Sequence, residues 1–537
     1  MRMAGTDNRR RLTLSIIIPV MEETSNLADM IAMSRSLAPL EIIVVCARHL
    51  IGTIQLTGAA DCRVIPLEES AGLFVGRSLG AKHARGDVLL FLDEGRVLPL
   101  AGLQRLLFPI FHGNAQAVLP LEDRRSRKNR TRTGSVRCFS QLLNECCGRS
   151  DLQDSSLFDT PHAFTREALT EIGIDRLAHP AEAHRQLVCS QMNIIAQTIA
   201  LMDEQQSFRP TLHAALRWEL SCYERKVVEQ QIRAIFQLPL RGGFSDGGRR
   251  RDIVEGLLHQ TSEIPMTNQG KWPLHTSSLY GGQRLSVIIP ACKEEATIGD
   301  VVREAMKLKP AEIIVVVNGS TDQTAAIAKK YGVTTVEYRE PLGVDTGRAI
   351  GALLAKGDVL LFIDADFVIP ARDMHPFPLA CEKGIDVALN DLSGFLEPHH
   401  ESNLVVAARQ ALNMAMNRKD LAIGSMVTVP FAMRREVVAA IGWPLLLCPP
   451  KAQIACALAG FQPQLAHEAD IFSSNRFRPQ KHLAGAGTTR SAAVEQILGD
   501  HIEAFQYFAD QLCTKQGGEQ VAYGQNIRSR QRGDYES

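Results

Sequence analysis

The chain of 537 residues lacks any run of about 20 apolar residues, the length that a membrane-spanning helix needs. It also lacks net charge, because 59 lysines and arginines stand against 59 aspartates and glutamates. A balanced charge gives no support for a nucleic-acid partner, and none is expected. Hydrophobic residues make up 45% and charged residues 22%, which is typical of a globular protein.

The 12 cysteines show no zinc-type spacing, and only Cys146 and Cys147 are adjacent. Scattered cysteines are typical of buried thiols in a reducing compartment, so we expect a cytoplasmic protein. One basic stretch, RRSRKNR at 124–130, interrupts the even charge. We interpret it as a solvated loop, with peripheral contact to an anionic membrane or a phosphorylated acceptor as the alternative.

The sequence contains two copies of one pattern. GAKHARGDVLLFLDEGRVLP at 80–99 recurs as GALLAKGDVLLFIDADFVIP at 351–370, with 12 of 20 positions identical. The similarity continues downstream, where residues 161–167 align with 430–436 and residues 208–210 align with 477–479. Arg9 to Arg11 precede an apolar run at 12–20, which together resemble the start of a signal peptide. Because the same run recurs at 285–290, we interpret it as a core strand instead.

A repeat of this length indicates two whole domains rather than a solenoid. We place the domains at 12–245 and 284–513, with a linker rich in Gly, Pro and Ser at 246–283 and a polar tail at 514–537.

Apolar runs and helical spacings alternate along the second copy. Buried strands are predicted at 285–289, 312–317, 333–338 and 358–363, and helices at 296–308, 321–331 and 343–356. This alternation predicts an α/β fold with a mostly parallel sheet. Ligands of such sheets bind beyond the carboxyl ends of the strands.

Two carboxylates, Asp364 and Asp366, follow the fourth of these strands. Carboxylates at this spacing can hold one hard divalent cation, Mg²⁺ or Mn²⁺, which would bridge a diphosphate. An isolated D-x-D is more often a solvated turn, but here three strand–helix units precede it. The sequence therefore predicts a metal site at this edge.

Other polar residues lie at the same predicted edge. Asn318 can contact a nucleotide base or only cap a helix, and Glu294 can accept a ribose hydroxyl or only favour a helix N-terminus. Arg348 lies on the helix before the fourth strand and can face a diphosphate, with a surface ion pair as the alternative.

The second copy resembles the family 2 glycosyltransferases, which have the GT-A fold. The motifs that carry the resemblance cover about 85 residues and are SVIIP at 286–290 with Glu294 and Glu295, IVVVNGSTD at 314–322, the glycine-rich segment at 343–358, and FIDAD at 362–366. The segment PFAMRRE at 430–436 is similar to the family's acceptor side.

The resemblance implies a nucleotide-diphosphate sugar donor, a divalent metal at Asp364 and Asp366, and base or ribose contacts near Glu294, Asn318 and Asp322. The acceptor would be a glycan, a lipid or a small molecule, as in bacterial surface polysaccharide or glycoconjugate synthesis.

Two departures from the family pattern concern the chemistry. Inverting members carry an acidic pair where this chain reads LCPPKAQ at 447–453, so a base must come from elsewhere or the reaction is retaining. We select His467 and Glu468 as the candidate catalytic residues, with a metal-ligand role for His467 and an inert surface pair as alternatives. The usual Asp before the Gly-Ser turn is Asn318.

The first copy is degenerate, since Gly95 replaces the second acid and ARHL at 47–50 replaces the NGST motif. We expect a retained fold without a metal site. Two alternatives to the glycosyltransferase interpretation stay open. The first is an inactive scaffold, and the second is a sugar nucleotidyltransferase, which the missing glycines at 291–295 disfavour.

Overall fold

A computed structural model describes most of the chain, namely residues 12–22, 26–56, 61–68, 73–93, 98–122, 134–199, 222–237, 244–257, 266–268, 282–395, 404–471 and 491–515. The chain forms two compact units, residues 1–242 with 401–404 and residues 243–400 with 405–537. The basic stretch 124–130, the repeat match at 208–210 and 477–479, and the tail beyond residue 515 lie outside the described residues.

The first unit contains a seven-stranded sheet with the order β3-β2-β1-β4-β6-β5-β7. Its strands are β1 (Leu14–Val20), β2 (Glu41–Ala47), β3 (Arg63–Leu67), β4 (Val88–Phe91), β5 (Ala117–Glu122), β6 (His162–Thr165) and β7 (Ile194–Ile199). Its helices are α1 (Leu27–Arg35), α2 (Ile51–Leu56), α3 (Leu73–His83), α4 (Leu100–Phe111), α5 (Gly134–Cys146), α6 (Arg166–Ile172), α7 (Pro180–Val188) and α8 (Cys222–Phe236).

The second unit contains an eight-stranded sheet with the order β15-β13-β14-β12-β9-β10-β11-β8. Its strands are β8 (Met266–Asn268), β9 (Leu285–Ala291), β10 (Glu312–Asn318), β11 (Thr334–Tyr338), β12 (Val359–Phe362), β13 (Val387–Asn390), β14 (Phe431–Arg434) and β15 (Pro463–His467). Its helices are α9 (Arg251–Gly256), α10 (Ile298–Lys307), α11 (Thr324–Lys330), α12 (Thr346–Leu354), α13 (Ala371–Met374), α14 (Pro376–Glu382), α15 (Leu404–Ala415), α16 (Arg435–Ile441), α17 (Pro449–Leu458) and α18 (Ala492–Lys515).

The two sheets share one strand order apart from β8. In each sheet four strands run parallel, and the next strand, β6 or β14, pairs antiparallel with both of its neighbours. The predicted α/β fold with mostly parallel sheets is confirmed. The central strands β1 and β9 are buried along nearly their whole length, as their continuous apolar runs require.

A glycine at the same place in each unit lets a helix lie directly on the first strand. A Cβ atom on Gly80 of α3 would lie 2.5 Å from Cγ2 of Ile17, and one on Gly351 of α12 would lie 2.4 Å from Cγ2 of Ile288. The helix that leads into the candidate site is thus held at a fixed distance from the sheet.

The segment predicted as a linker, 246–283, contributes to the second unit where it is described. Helix α9 lies in this segment, and β8 pairs antiparallel with β11 at the sheet edge. The exact bounds given for the domains stay predictions. Within the described ranges, no helix is both long and apolar enough to cross a membrane.

Candidate active site

The two predicted metal ligands follow β12 in the second unit. This strand lies at the centre of the sheet, so its carboxyl end opens at the edge where parallel strands bind ligands. The side chain of Asp364 is 31% exposed, which leaves part of its carboxylate accessible. Between the two acids, the carbonyl of Ala365 accepts a hydrogen bond of 2.6 Å from the hydroxyl of Thr297. That contact ties the loop of the acids to the loop after β9.

Arg348 lies on α12 and contacts the first acid directly. Its Nη2 donates to Oδ1 of Asp364 at 3.0 Å and to Oδ2 at 3.4 Å, while Nη1 lies 3.1 Å from Oδ1 of Asp345. Burial alone would lower the pKa of Arg348, but the carboxylates of Asp364 and Asp345 outweigh it and raise that pKa. Arg348 is therefore a fixed cation beside Asp364, not the surface ion pair that was its alternative.

The donor set of this loop fits a divalent metal. A carboxylate has about four lone-pair sites, so Asp364 can accept from Arg348 and still bind a cation directly or through water. Asp364 and Asp366 would hold a Mg²⁺ or Mn²⁺ ion with oxygen ligands, and the ion would supply charge for a diphosphate.

The side chain of Asn318 is engaged by the protein backbone. Its amide nitrogen donates to the carbonyl of Gly343 at 2.7 Å, and its amide oxygen accepts from the backbone nitrogen of Leu342 at 2.6 Å. Asn318 thus fixes the loop before α12. The base contact predicted for Asn318 stays a prediction.

The loops after β9 and β10 are joined by hydrogen bonds around Asp322. Its Oδ1 accepts from the backbone and hydroxyl of Thr324 at 3.1 and 2.6 Å, and its Oδ2 accepts from the backbone of Glu295 at 3.2 Å. Burial raises the pKa of Asp322, but these hydrogen bonds outweigh it and lower that pKa. The buried Glu294 donates its backbone nitrogen to the Thr324 hydroxyl at 2.7 Å. Asp322 and Glu294 therefore shape the edge where a donor would bind.

His467 and Glu468 stand at the same edge of the sheet but away from the acids. Strands β12, β13 and β15 run in one direction, because β14 is antiparallel to β12 and β13, and β15 is parallel to β13. Three strand spacings, about 14 Å in all, separate β15 from β12. His467 is half-buried with its ring 6.1 Å from that of Phe377, and Glu468 is exposed. The roles given to this pair stay predictions.

Helix α17 begins at Pro449, in the segment where the family's acidic pair is missing. Carboxylates reach this helix from α18 instead, since Asp500 and Glu503 each place an oxygen close to the thiol of Cys448. Glu503 also lies 3.3 Å from Nζ of Lys451. Sequence reasoning missed these residues, because α18 follows the family motifs and no spacing signal links it to α17.

Two further residues of the site were also missed. Arg249, in the predicted linker, has no exposed side-chain surface and donates to Asp500 at 2.6 and 2.8 Å and to Asp345 at 2.9 Å. Asp345 precedes α12, and an acid before a helix was the only sequence signal for it. The triple arginine at 249–251 gave no indication of its partners.

The first unit keeps part of this arrangement. Arg77 of α3 donates to the carbonyl of Leu157 at 2.7 Å, and Arg348 makes the equivalent contact with the carbonyl of Met426 at 3.4 Å. The guanidinium of Arg77 lies 5.2 Å from the ring centre of Phe74, which stands where the second unit has Asp345. Glu94 and Gly95 lie outside the described residues.

Curated proteins match part of the chain. The chain is 30% identical to the 4,4'-diaponeurosporenoate glycosyltransferase of Staphylococcus aureus strain MRSA252 over 117 residues, which are 20% of the chain and 31% of that protein. For the enzyme of strain N315 the identity is 31% over 124 residues, covering 21% of the chain and 33% of the relative. The chain thus spans about a third of the curated relatives that it matches.

Among solved structures, the chain is similar to glucosyl-3-phosphoglycerate synthase from Mycobacterium tuberculosis. In complex with phosphoglyceric acid, that structure matches at 20% identity and a TM-score of 0.32, with 45% of this chain and 88% of the other covered. A second structure of the synthase, with Mn²⁺, UDP-glucose and phosphoglyceric acid, gives the same values.

The family model described as "Glycosyl transferase family 2" matches residues 15–170 and again residues 286–439. These regions contain most of the two sheets and together span more than half of the chain. The chain therefore belongs to glycosyl transferase family 2, with one GT-A domain in each unit.

Proposed function

We propose that this protein is a metal-dependent glycosyltransferase whose donor site lies in the second unit. The donor is a nucleotide-diphosphate sugar, and the acceptor is a glycan, a lipid or a small molecule. The observation that carries the proposal is the pair Asp364 and Asp366 at the end of the central strand β12, with the buried cation of Arg348 beside it.

The charges of the site fit a diphosphate donor. Asp364 and Asp366 would hold the metal, and Arg348 adds a positive charge whose position is fixed by two carboxylates. Both would stabilise the nucleoside diphosphate as it leaves, because negative charge grows on it in the transition state. The joined loops after β9 and β10 would position the nucleoside.

A panel of nucleoside diphosphates, each with and without Mn²⁺, tests the proposal. A bound ligand raises the melting temperature by mass action, so the base that gives the largest metal-dependent shift identifies the donor class. We expect Asp366→Ala to abolish that shift, because one remaining carboxylate cannot hold the ion and the diphosphate together. Asp373→Ala, on α13 shortly after the pair, is the matched control and should keep the shift. An unchanged shift in Asp366→Ala contradicts the proposal.

A further inference from the structure

Residues 246–251, which we name the strap, lie against the loop that leads into α12. The backbone nitrogen of Val344 donates to the carbonyl of Gly247 at 3.1 Å, and that of Arg250 donates to the carbonyl of Leu342 at 2.8 Å. Gly343 has φ +92°, and a Cβ on it would lie 2.5 Å from the backbone of Gly248. This close approach fixes the strap on the loop to which the Asn318 side chain is also hydrogen-bonded.

A chain of alternating charges runs from the strap and α18 to the predicted metal site. Asp500 pairs with Arg249, Arg249 with Asp345 at 2.9 Å, Asp345 with Arg348 at 3.1 Å, and Arg348 with Asp364 at 3.0 Å. The first four side chains are at most 9% exposed, so water screens these contacts weakly.

Asp345 is the residue that links the two arginines. One of its oxygens accepts from Arg249 and the other faces Arg348. Without Arg249, all of the charge of Asp345 would act on Arg348 and compete with Asp364 for that guanidinium. The orientation of Arg348 toward Asp364 therefore depends on Arg249, although Arg249 contacts neither of the predicted metal ligands.

The first unit supports this dependence. It has kept the arginine as Arg77 but has Phe74 in place of Asp345, and its sequence has also lost the second acid of the metal pair. The linking aspartate and the metal pair thus occur together in one unit and are missing together from the other.

We propose that Arg249, held by Asp500, is a positioning residue of the donor site: through Asp345 it sets the orientation of Arg348 toward Asp364. This inference rests on the proposed function. It assigns the strap and α18, both outside the family motifs, to the binding of the metal–diphosphate group.

The test compares Arg249→Gln with Arg251→Gln in the full-length protein. Arg251 is the matched control, because it joins the same strap to α18 through Glu503 at 2.7 Å. Among the described residues its ion-pair partners are Glu503 and Asp246, which Arg249 also contacts at 3.1 Å, and not Asp345. Both variants should lower the melting temperature. Only Arg249→Gln should raise the dissociation constant of Mn²⁺–UDP or Mn²⁺–GDP, by about tenfold or more. Arg249→Lys, which keeps one ion pair, should recover part of the affinity.

Hydrogen exchange of the ligand-free protein gives a second readout that does not depend on the donor. Arg249→Gln should speed the exchange of residues 342–354, and Arg251→Gln should leave it near the wild-type rate. Equal exchange of this segment in both variants, or affinities within twofold of each other, would overturn the proposal. If the wild type binds no metal–nucleotide while the exchange still separates the variants, the proposed function fails, and only the ordering of α12 by Arg249 stands.

Discussion

A buried histidine in the first unit stands where the second unit has a phenylalanine. His162 of β6 is 1% exposed, its ring centre lies 5.0 Å from that of Phe91, and it aligns with Phe431, which stacks on Phe362 at 4.6 Å. Burial, and secondarily the charge of Arg77, lower the pKa of His162 to about 3. The histidine therefore stays neutral while the protein is folded.

This neutrality makes the first unit sensitive to acid. Below the ordinary histidine pKa of about 6.5, the unfolded chain binds a proton that the folded chain does not, so stability falls as the pH falls toward 3. Between pH 8 and pH 5 the loss from His162 is about 2 kcal/mol. We expect His162→Phe to remove this pH-dependent loss. The measured quantity is the unfolding free energy of the first unit, taken from hydrogen exchange of β4 in urea at pH 8 and at pH 5. His83→Gln, at an exposed site, should keep the wild-type loss, and an equal loss in His162→Phe would contradict the prediction.

Glu468 and His467 are best tested as separate substitutions. If Glu468 is the base, Glu468→Gln should lower kcat by about 100-fold or more while donor affinity is unchanged. If His467 is a metal ligand, His467→Ala should weaken metal affinity as well. Wild-type turnover and wild-type metal affinity in both variants would show that the pair has neither a catalytic nor a metal-binding role. The pair lies three strand spacings from β12, so a loss in either variant is a stringent requirement.

At the scale of elements, the approach of helix to strand depends on glycine. Gly80→Ala would place a methyl group 2.5 Å from Ile17, so a neighbour must shift, and we expect the first unit to lose about 1–3 kcal/mol of unfolding free energy. Gly52 of α2 has no atom within 4 Å of its Cβ position, so Gly52→Ala should be neutral or stabilising by up to about 1 kcal/mol. The unfolding free energies of the two variants can be compared by unfolding each in urea and monitoring the hydrogen exchange of β1. Equal effects would show that α3 can move off the sheet.

The strands and helices that could be predicted from the sequence are those that a local pattern of apolar residues determines. Strands β9, β10 and β12 are continuous apolar runs, and the amphipathic spacing of α10 is read directly from its residues. The strap and α18 were missed as parts of the site because their contacts are not local. Arg249 and Asp500 are 251 residues apart, and a buried ion pair leaves no periodic signal between such positions. The pair Asp364 and Asp366 could be predicted as metal ligands because the two acids are nearly adjacent in sequence.

At the scale of the whole molecule, a duplicated fold carries one intact predicted site. The second unit has Asp364, Asp366 and the linking Asp345, while the first has Asp93, Gly95 and Phe74 at the same positions. Both units keep the buried arginine that donates to a backbone carbonyl, Arg77 or Arg348. Packing of the fold thus accounts for the arginine in both copies, and the proposed binding of a metal would account for the acids in one.

The number of metal–nucleotide sites per chain tests whether only the second unit binds a metal. We expect isothermal titration of the full-length protein with a nucleoside diphosphate and excess Mn²⁺ to give one site per chain, because Gly95 offers no side-chain ligand where the second unit has Asp366. Asp364→Ala combined with Asp366→Ala should then leave no metal-dependent binding at all. As a control, Asp93→Ala in the first unit should keep one site with wild-type affinity. Two sites in the wild type, or one site left in the double variant, would mean that the first unit binds a metal–nucleotide through other residues.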